Sequence, residues 1–301
     1  MNKDFLLFLK GFFMGIANII PGVSGGTIAL ITNIYEDLIF SLKSFNYEAL
    51  KLILNLKFKD FSKHVNLKFI SLVFSGSIAS VFSVAKLFEF LFERYPSHIW
   101  ALFFGLIVAS IYYVGKRIKK WGLSTFFSLF AGIIIAYYLT VGASGSENTN
   151  SFYILLCGAI GTSGMLLPGL SGSFILILMG NYELILVESI VNLNVKILSL
   201  FLIGSVIGLL IFSHAIAFLL KKYKNQTIAI LTGFMIGSIH IIWPFKDKLA
   251  VYRNIDLSLF DITLAYNYKF PFETSIYFIS TLVLMIIGFL LVSLIEHRSS
   301  D

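Results

Sequence analysis

PGVSGGT at Pro21 to Thr27 returns as PGLSGSF at Pro168 to Phe174, each time inside an apolar stretch. A proline followed by Gly, Ser and Gly removes one backbone donor, frees others, and costs about 3 kcal/mol or more in a helix interior. With 57% hydrophobic and 13% charged residues and a mean hydropathy of +0.88, the 301-residue chain exceeds the soluble globular norm. Its apolar runs reach the roughly 20 residues that span a bilayer core. In hydrocarbon a broken helix persists only where the freed groups face protein, water or a ligand. The chain therefore reads as an all-α polytopic membrane protein with two built-in helix breaks.

The same composition argues against several other classes. Lys3 and Lys10 precede the first apolar run, but no small-residue cleavage site closes it, so it reads as retained structure and not as a signal peptide. Cys157 is the single cysteine, and the five histidines show no metal-ligand spacing. No disulfide framework, metal or other cofactor is expected. The net charge of +7 arises from basic residues between apolar spans, which act as orientation signals, so no nucleic-acid partner is expected.

Self-comparison divides the chain in two. At an offset of 147, Gly11, Pro21, Gly22, Ser24, Gly25, Ile28, Tyr35 and Glu36 fall on Gly158, Pro168, Gly169, Ser171, Gly172, Ile175, Tyr182 and Glu183. At an offset of 128, Asn66, Lys68, Gly76, Ser77, Tyr95 and Gly105 fall on Asn194, Lys196, Gly204, Ser205, Tyr223 and Gly233. The 19-residue difference lies in the loop after the motif, long and lysine-rich in the first half and short in the second. The first repeat, 1–141, comprises a hairpin at 5–42 and spans at about 69–92, 98–115 and 122–141. The second, 152–301, comprises a hairpin at 152–190 and spans at about 196–220, 226–243 and 274–295. The third spans show no convincing match.

Charge sets the orientation. If 5–42 dips into the membrane and returns, every Lys/Arg cluster lies on one side: the loop with Lys43, Lys51, Lys57, Lys59, Lys63 and Lys68, then Lys116 to Lys120, then Lys221 to Lys224, then Arg298. Both termini are then cytoplasmic, and three crossings per half invert the second repeat relative to the first. Each motif is thereby a re-entrant, broken-helix hairpin, and the two enter from opposite faces.

In each turn the proline ends one helix and Ser24 or Ser171 is placed to cap the next, with glycines allowing close approach. Unpaired N–H groups and a positive helix end would suit an anion, phosphate above all. The expected substrate-binding set is Asn18, Pro21, Gly22, Ser24, Gly25, Gly26 and Thr27 with Pro168, Gly169, Ser171, Gly172 and Ser173. The blander reading is that these breaks only shape a packing contact. Glu36 and Glu183, two turns beyond the motifs, are either proton carriers or interfacial residues. Lys86 aligns with His214, two cations suited to an anionic substrate or, for Lys86, one that snorkels to water. His240 reads as a packing histidine. The small-residue pairs Gly76/Ser80, Gly204/Gly208, Gly105/Ala109 and Gly233/Gly237 permit close helix contact and allow a homodimer.

An enzyme lacks support, since no nucleophile with its base, metal cluster or arginine-rich site is evident. A carrier for an anion remains, with the choice between a soluble anion and a lipid phosphate open. The runs GFFMGIANIIPGVSGGTIALITNIYEDLI (Gly11 to Ile39) and GMLLPGLSGSFILILMGNYELIL (Gly164 to Leu186) resemble the bacterial polyprenyl-phosphate translocase family called PopT. That resemblance implies a plasma-membrane flippase returning undecaprenyl phosphate from the outer to the cytoplasmic leaflet for cell-wall precursor synthesis. By the same resemblance the turns at Pro21 to Thr27 and Pro168 to Ser173 receive the phosphate while the polyprenyl tail stays in lipid. The alternatives are a proton- or sodium-coupled carrier of a small soluble anion and a membrane-embedded lipid phosphatase.

Overall fold

The computed structural model describes residues 3–19, 24–141, 146–251, 263–268 and 276–300. Pro21 and Gly22 lie outside the described residues, as does the side chain of Lys86.

Among the described residues, six helices are long and apolar enough to cross a bilayer. They are α6 (Leu67–Arg94), α7 (Pro96–Lys116), α8 (Leu123–Val141), α12 (Val195–Lys222), α13 (Lys224–Ser238, extended by a 3₁₀ turn to Ile242) and α14 (Ile276–Ser300). Two further pairs flank the motifs: α1 (Lys3–Ile19) with α2 (Gly25–Ile31), and α9 (Ser151–Leu166) with α10 (Gly172–Leu178). Shorter pieces follow the motif pairs: α3 (Tyr35–Lys43), α4 (Tyr47–Leu54), α5 (Phe58–His64), and a π-helical stretch at Leu184–Glu188 running into α11 (Ser189–Val191). Within the 244–272 loop, β1 (Lys246–Val251) pairs antiparallel with β2 (Thr263–Tyr268), a hairpin added to the otherwise helical architecture.

Both motif pairs double back. The Lys10 ammonium donates to the Thr32 carbonyl at 2.7 Å, and the Gly25 N–H donates to Asn18 Oδ1 at 2.8 Å, so α2 runs antiparallel along α1. Likewise the Tyr153 hydroxyl donates to the Met179 carbonyl at 2.8 Å, bringing the end of α10 level with the start of α9. At an offset of 147, Thr32 corresponds to Met179, so equivalent carbonyls are held by different donors.

The halves also repeat each other's packing. Helix α1 lies against α6 and α9 against α12. A Cβ added at Gly11 would strike Val73, and one at Gly158 would strike Phe201; one at Gly76 would strike Phe8, and one at Gly204 would strike Leu155. These are the same contacts at the two offsets. The corners match too: Tyr95 (φ −136°, ψ 48°) and Tyr223 (φ −134°, ψ 51°) join α6 to α7 and α12 to α13.

The third helices exchange partners, α14 packing on α7 and α8 on α13. Gly105 abuts Met285 and Gly288 abuts Leu102, while Gly233 abuts Leu129 and Gly132 abuts Ile230. Both contacts give one offset of 156, which superposes Ser124, Thr125 and Gly132 on Ser280, Thr281 and Gly288. That sparse Ser-Thr-Gly signal is the match self-comparison misses, because lipid-facing positions in these helices need only be apolar. The small-residue faces of α6, α7, α12 and α13 are thus filled within the chain, where close approach rewards packing. The main core joins both halves through Ala29, Leu38, Leu170, Ala217 and Met235.

Candidate functional site

The two hairpin tips meet. The Ser24 hydroxyl donates to the Met165 carbonyl at 2.9 Å, and the Gly169 N–H donates to the Thr27 hydroxyl at 3.1 Å. Ser24 and Thr27 are fully buried, as are Gly25 and Gly26. An added Cβ on Gly26 would come 2.5 Å from the Leu166 carbonyl oxygen, so glycine is required for this contact. Gly169 sits at φ +83°, and a Cβ there would come 2.7 Å from Cα of Met235 on α13. Both demands, left-handed backbone and close approach, exclude a side chain.

The first turn uses its own donors. Ser24, in extended conformation, caps α2: its hydroxyl accepts from the Gly26 N–H at 3.0 Å and its carbonyl from the Thr27 N–H at 3.0 Å. Asn18 Oδ1 takes the Gly25 N–H. The sequence expectation of free donors at both turns is therefore corrected for the first, since Asn18 and Ser24 supply the acceptors. At the second turn, Met165 stands where Asn18 stands and offers no such acceptor. The Ser171 hydroxyl pairs with Ser173 at 2.6 Å instead of capping α10. The N–H groups of Gly172, Ser173 and Phe174 make no hydrogen bond among the described residues. Pro168, Ser171 and Gly172 are buried.

At the other end of α2, Arg117 donates one guanidinium nitrogen to the Leu30 carbonyl at 2.9 Å and the other to both Glu296 oxygens at 2.9 Å. With the Lys10 contact to Thr32, two cations face the negative end of α2. Glu36 pairs with Lys224 at 2.6 Å. A cavity of about 270 Å³ lies here, bordered by Asn33, Tyr35, Glu36, Asp37 and Arg117. Tyr35 is 2% exposed, and its hydroxyl has no hydrogen-bond partner among the described residues. From sequence, Arg117 carries only an orientation signal; its role at the end of α2 depends on α7 and α14 converging there, which no local pattern encodes.

The remaining candidates are dispersed. Glu183 and His214 are exposed, His214 Nδ1 lying 2.8 Å from the Leu210 carbonyl. His240 contacts the Thr140 hydroxyl at 3.2 Å and the Gly237 carbonyl at 3.0 Å, as suits a packing histidine.

The VCA0040-like family model, described as undecaprenyl phosphate translocase-like, matches residues 14–257, which include both motif turns and most of the core that joins them. The chain belongs to that family. A polyprenyl-phosphate transporter of Vibrio cholerae is 41% identical over 243 residues, 81% of this chain and 79% of that protein. A polyprenyl-phosphate transporter of Staphylococcus aureus is 29% identical over 275 residues, 84% of this chain and 91% of that protein. No solved structure matches.

Proposed function

We propose that this protein is a transporter, not an enzyme, and that it carries polyprenyl phosphate, undecaprenyl phosphate in the cell, from the outer to the cytoplasmic leaflet. Family membership and two relatives named polyprenyl-phosphate transporters support the substrate class. The observation that carries the mechanism is the direct meeting of two motif hairpins, Ser24 to Met165 and Gly169 to Thr27, at a buried junction. Moving a phosphate through hydrocarbon unaided is prohibitive. A pair of polar helix starts at one junction offers it donors in place of water, while the polyprenyl tail remains in lipid.

In this reading the phosphate is received by the turns Pro21 to Thr27 and Pro168 to Ser173, and the second turn, whose Gly172, Ser173 and Phe174 donors are open, engages it first. Binding at the first turn requires Asn18 to release the Gly25 N–H. The chain is built as two inverted repeats, 1–141 and 152–301, with both termini cytoplasmic; the shared contacts at offsets of 147 and 128 and the exchanged third helices support the repeat. Arg117–Glu296 and Lys224–Glu36 each join one half to the other and hold the cytoplasmic side shut in this state. Glu36 remains the better placed of the two glutamates for coupling, because its partner lies across that closure.

The test is reconstitution into liposomes with polyprenyl phosphate in one leaflet, read by its appearance in the other. Protein-dependent exchange is the expected result. No protein-dependent exchange, with the protein folded and the lipid intact, would return the choice to a soluble anion, and release of inorganic phosphate would make it a phosphatase.

A further inference from the structure

The 19 extra residues of the first half fold into a unit that the repeat does not need and that leaves its apolar side chains outside. Asn46 caps α4 by accepting from the Glu48 and Ala49 N–H groups at 3.0 and 3.1 Å, and its Oδ1 also lies 3.3 Å from His64 Nε2 at the end of α5. Phe45 meets Phe61 edge to face, with ring centroids 6.2 Å apart. Helices α4 and α5 are therefore clasped to each other, with Ala49 buried. Yet Tyr47, Leu50 and Leu54, which share one helical face, are 81%, 52% and 73% exposed, and Leu56 and Phe58 in the following turn are 73% and 61% exposed. An internally packed two-helix unit that could have hidden these residues instead presents them.

Charge identifies what covers them. Lys51, Lys57, Lys59 and Lys63 are all exposed in the same unit, against the carboxylates of Glu48 and Asp60. An apolar face rimmed by lysines is the pattern of a helix lying in a bilayer interface, where the side-chain stems stay with lipid and the ammonium groups reach headgroups. Tethers at both ends enforce this placement: α3 precedes the unit, and α6, the first membrane span, begins at Leu67. We infer that α4–α5 is an interfacial anchor whose Tyr47, Leu50, Leu54, Leu56 and Phe58 insert between lipids and whose lysines bind anionic phospholipid headgroups. Each lysine held near an anionic surface strengthens attachment about fivefold. The anchor would fix the first hairpin at the membrane surface, where the second half has only the short stretch around Leu184–Val191.

The test uses the full-length protein in nanodiscs, whose two faces are identical, so its outcome does not depend on which way the chain is oriented or on what it transports. Cys157 is buried and the single native cysteine, so Leu54→Cys, or Phe58→Cys as a second position, takes an environment-sensitive fluorophore. In discs containing phosphatidylglycerol, emission shifts to the blue, iodide quenches poorly, and lipids spin-labelled near the headgroup quench well. In phosphatidylcholine alone the shift is smaller. Replacing Lys51, Lys57, Lys59 and Lys63 by Gln removes the difference between the two lipids. Water-like emission in both lipids overturns the inference, as does equal protection in both. Protection that disappears when each disc holds a single copy would identify a second copy of the chain as the cover, and would overturn it too.

Discussion

The two motifs share four of their seven residues, yet the helix starts they form differ in how their donors are used. In the first, Asn18 and Ser24 consume the N–H groups of Gly25 and Gly26, and Thr27 accepts from the opposite hairpin. In the second, Met165 and Phe174 occupy the positions of Asn18 and Thr27, and Ser171 turns to Ser173. A recurring sequence motif thus marks where a helix starts, while the side chains around it decide whether its donors are satisfied internally or open. The asymmetry extends to the far ends of the exchanged helix pairs. The α7–α14 pair closes on the Arg117–Glu296 ion pair, whereas α8–α13 closes on the Thr140–His240 contact.

The largest expected effect comes from the residue both turns depend on. Gly169→Ala forces a side chain into left-handed backbone at a cost of about 1–3 kcal/mol, and overpacks Met235 for about 1–3 kcal/mol more. The thermal midpoint of the purified protein should fall sharply and lipid exchange should be lost. Gly122→Ala is the control, because nothing lies within 4 Å of its added Cβ. If Gly169→Ala behaved like the control, the tips would not be locked by this contact.

Thr27→Val keeps shape but removes the only described acceptor of the Gly169 N–H, leaving a buried donor unsatisfied at about 1–3 kcal/mol. Because Phe174 already lacks a hydroxyl, Phe174→Leu should cost only packing and leave the junction intact. Chemical unfolding of the two variants separates these cases; equal losses would mean that the Thr27 bond contributes nothing beyond volume.

Ser24→Ala removes both a cap and the link to Met165, for about 0.5–2 kcal/mol. Ser171→Ala removes neither, so its stability loss should be smaller, and its main effect should be weaker binding of polyprenyl phosphate at the open turn. A melting series with and without the lipid reads both quantities. The reverse order, with Ser171→Ala the less stable of the two, would break the asymmetry.

How far these features are legible in sequence depends on how local they are. Apolar length and the repeated Pro-Gly-x-Ser-Gly suffice to read six long apolar helices and two helix breaks, since a span and a break are each written in about 20 consecutive residues. Partner exchange by α8 and α14 is not written locally; only Gly132, Gly288 and their Ser-Thr pairs mark it, as small residues amid interchangeable aliphatics. The substitution of Asn18 by Met165 is visible in the alignment, but that it leaves one turn capped and the other open is not. Such a difference rests on hydrogen bonds of about 3 Å, from Gly25 to Asn18 and from Gly26 to Ser24, of which the first forms only once α2 has folded back along α1.

The smallest effect is also the sharpest test of the comparison. Asn18→Met gives the first turn the residue the second already has, and the second shows that methionine packs against the following glycine, since Met165 lies beside Gly172. Losing the Asn18 acceptor frees the buried Gly25 N–H, for about 1 kcal/mol of stability. If the amide of Gly25 is held by Asn18 in place of a phosphate oxygen, the variant binds polyprenyl phosphate more tightly, because no internal acceptor must first be displaced. Titration of lipid into the detergent-solubilised variant measures this directly. Tighter binding with slightly lower stability makes Asn18 a competitor of the substrate at the first turn; weaker binding makes it a direct ligand of the phosphate, and the two turns would then differ in which side chain meets the lipid and not in whether their donors are open.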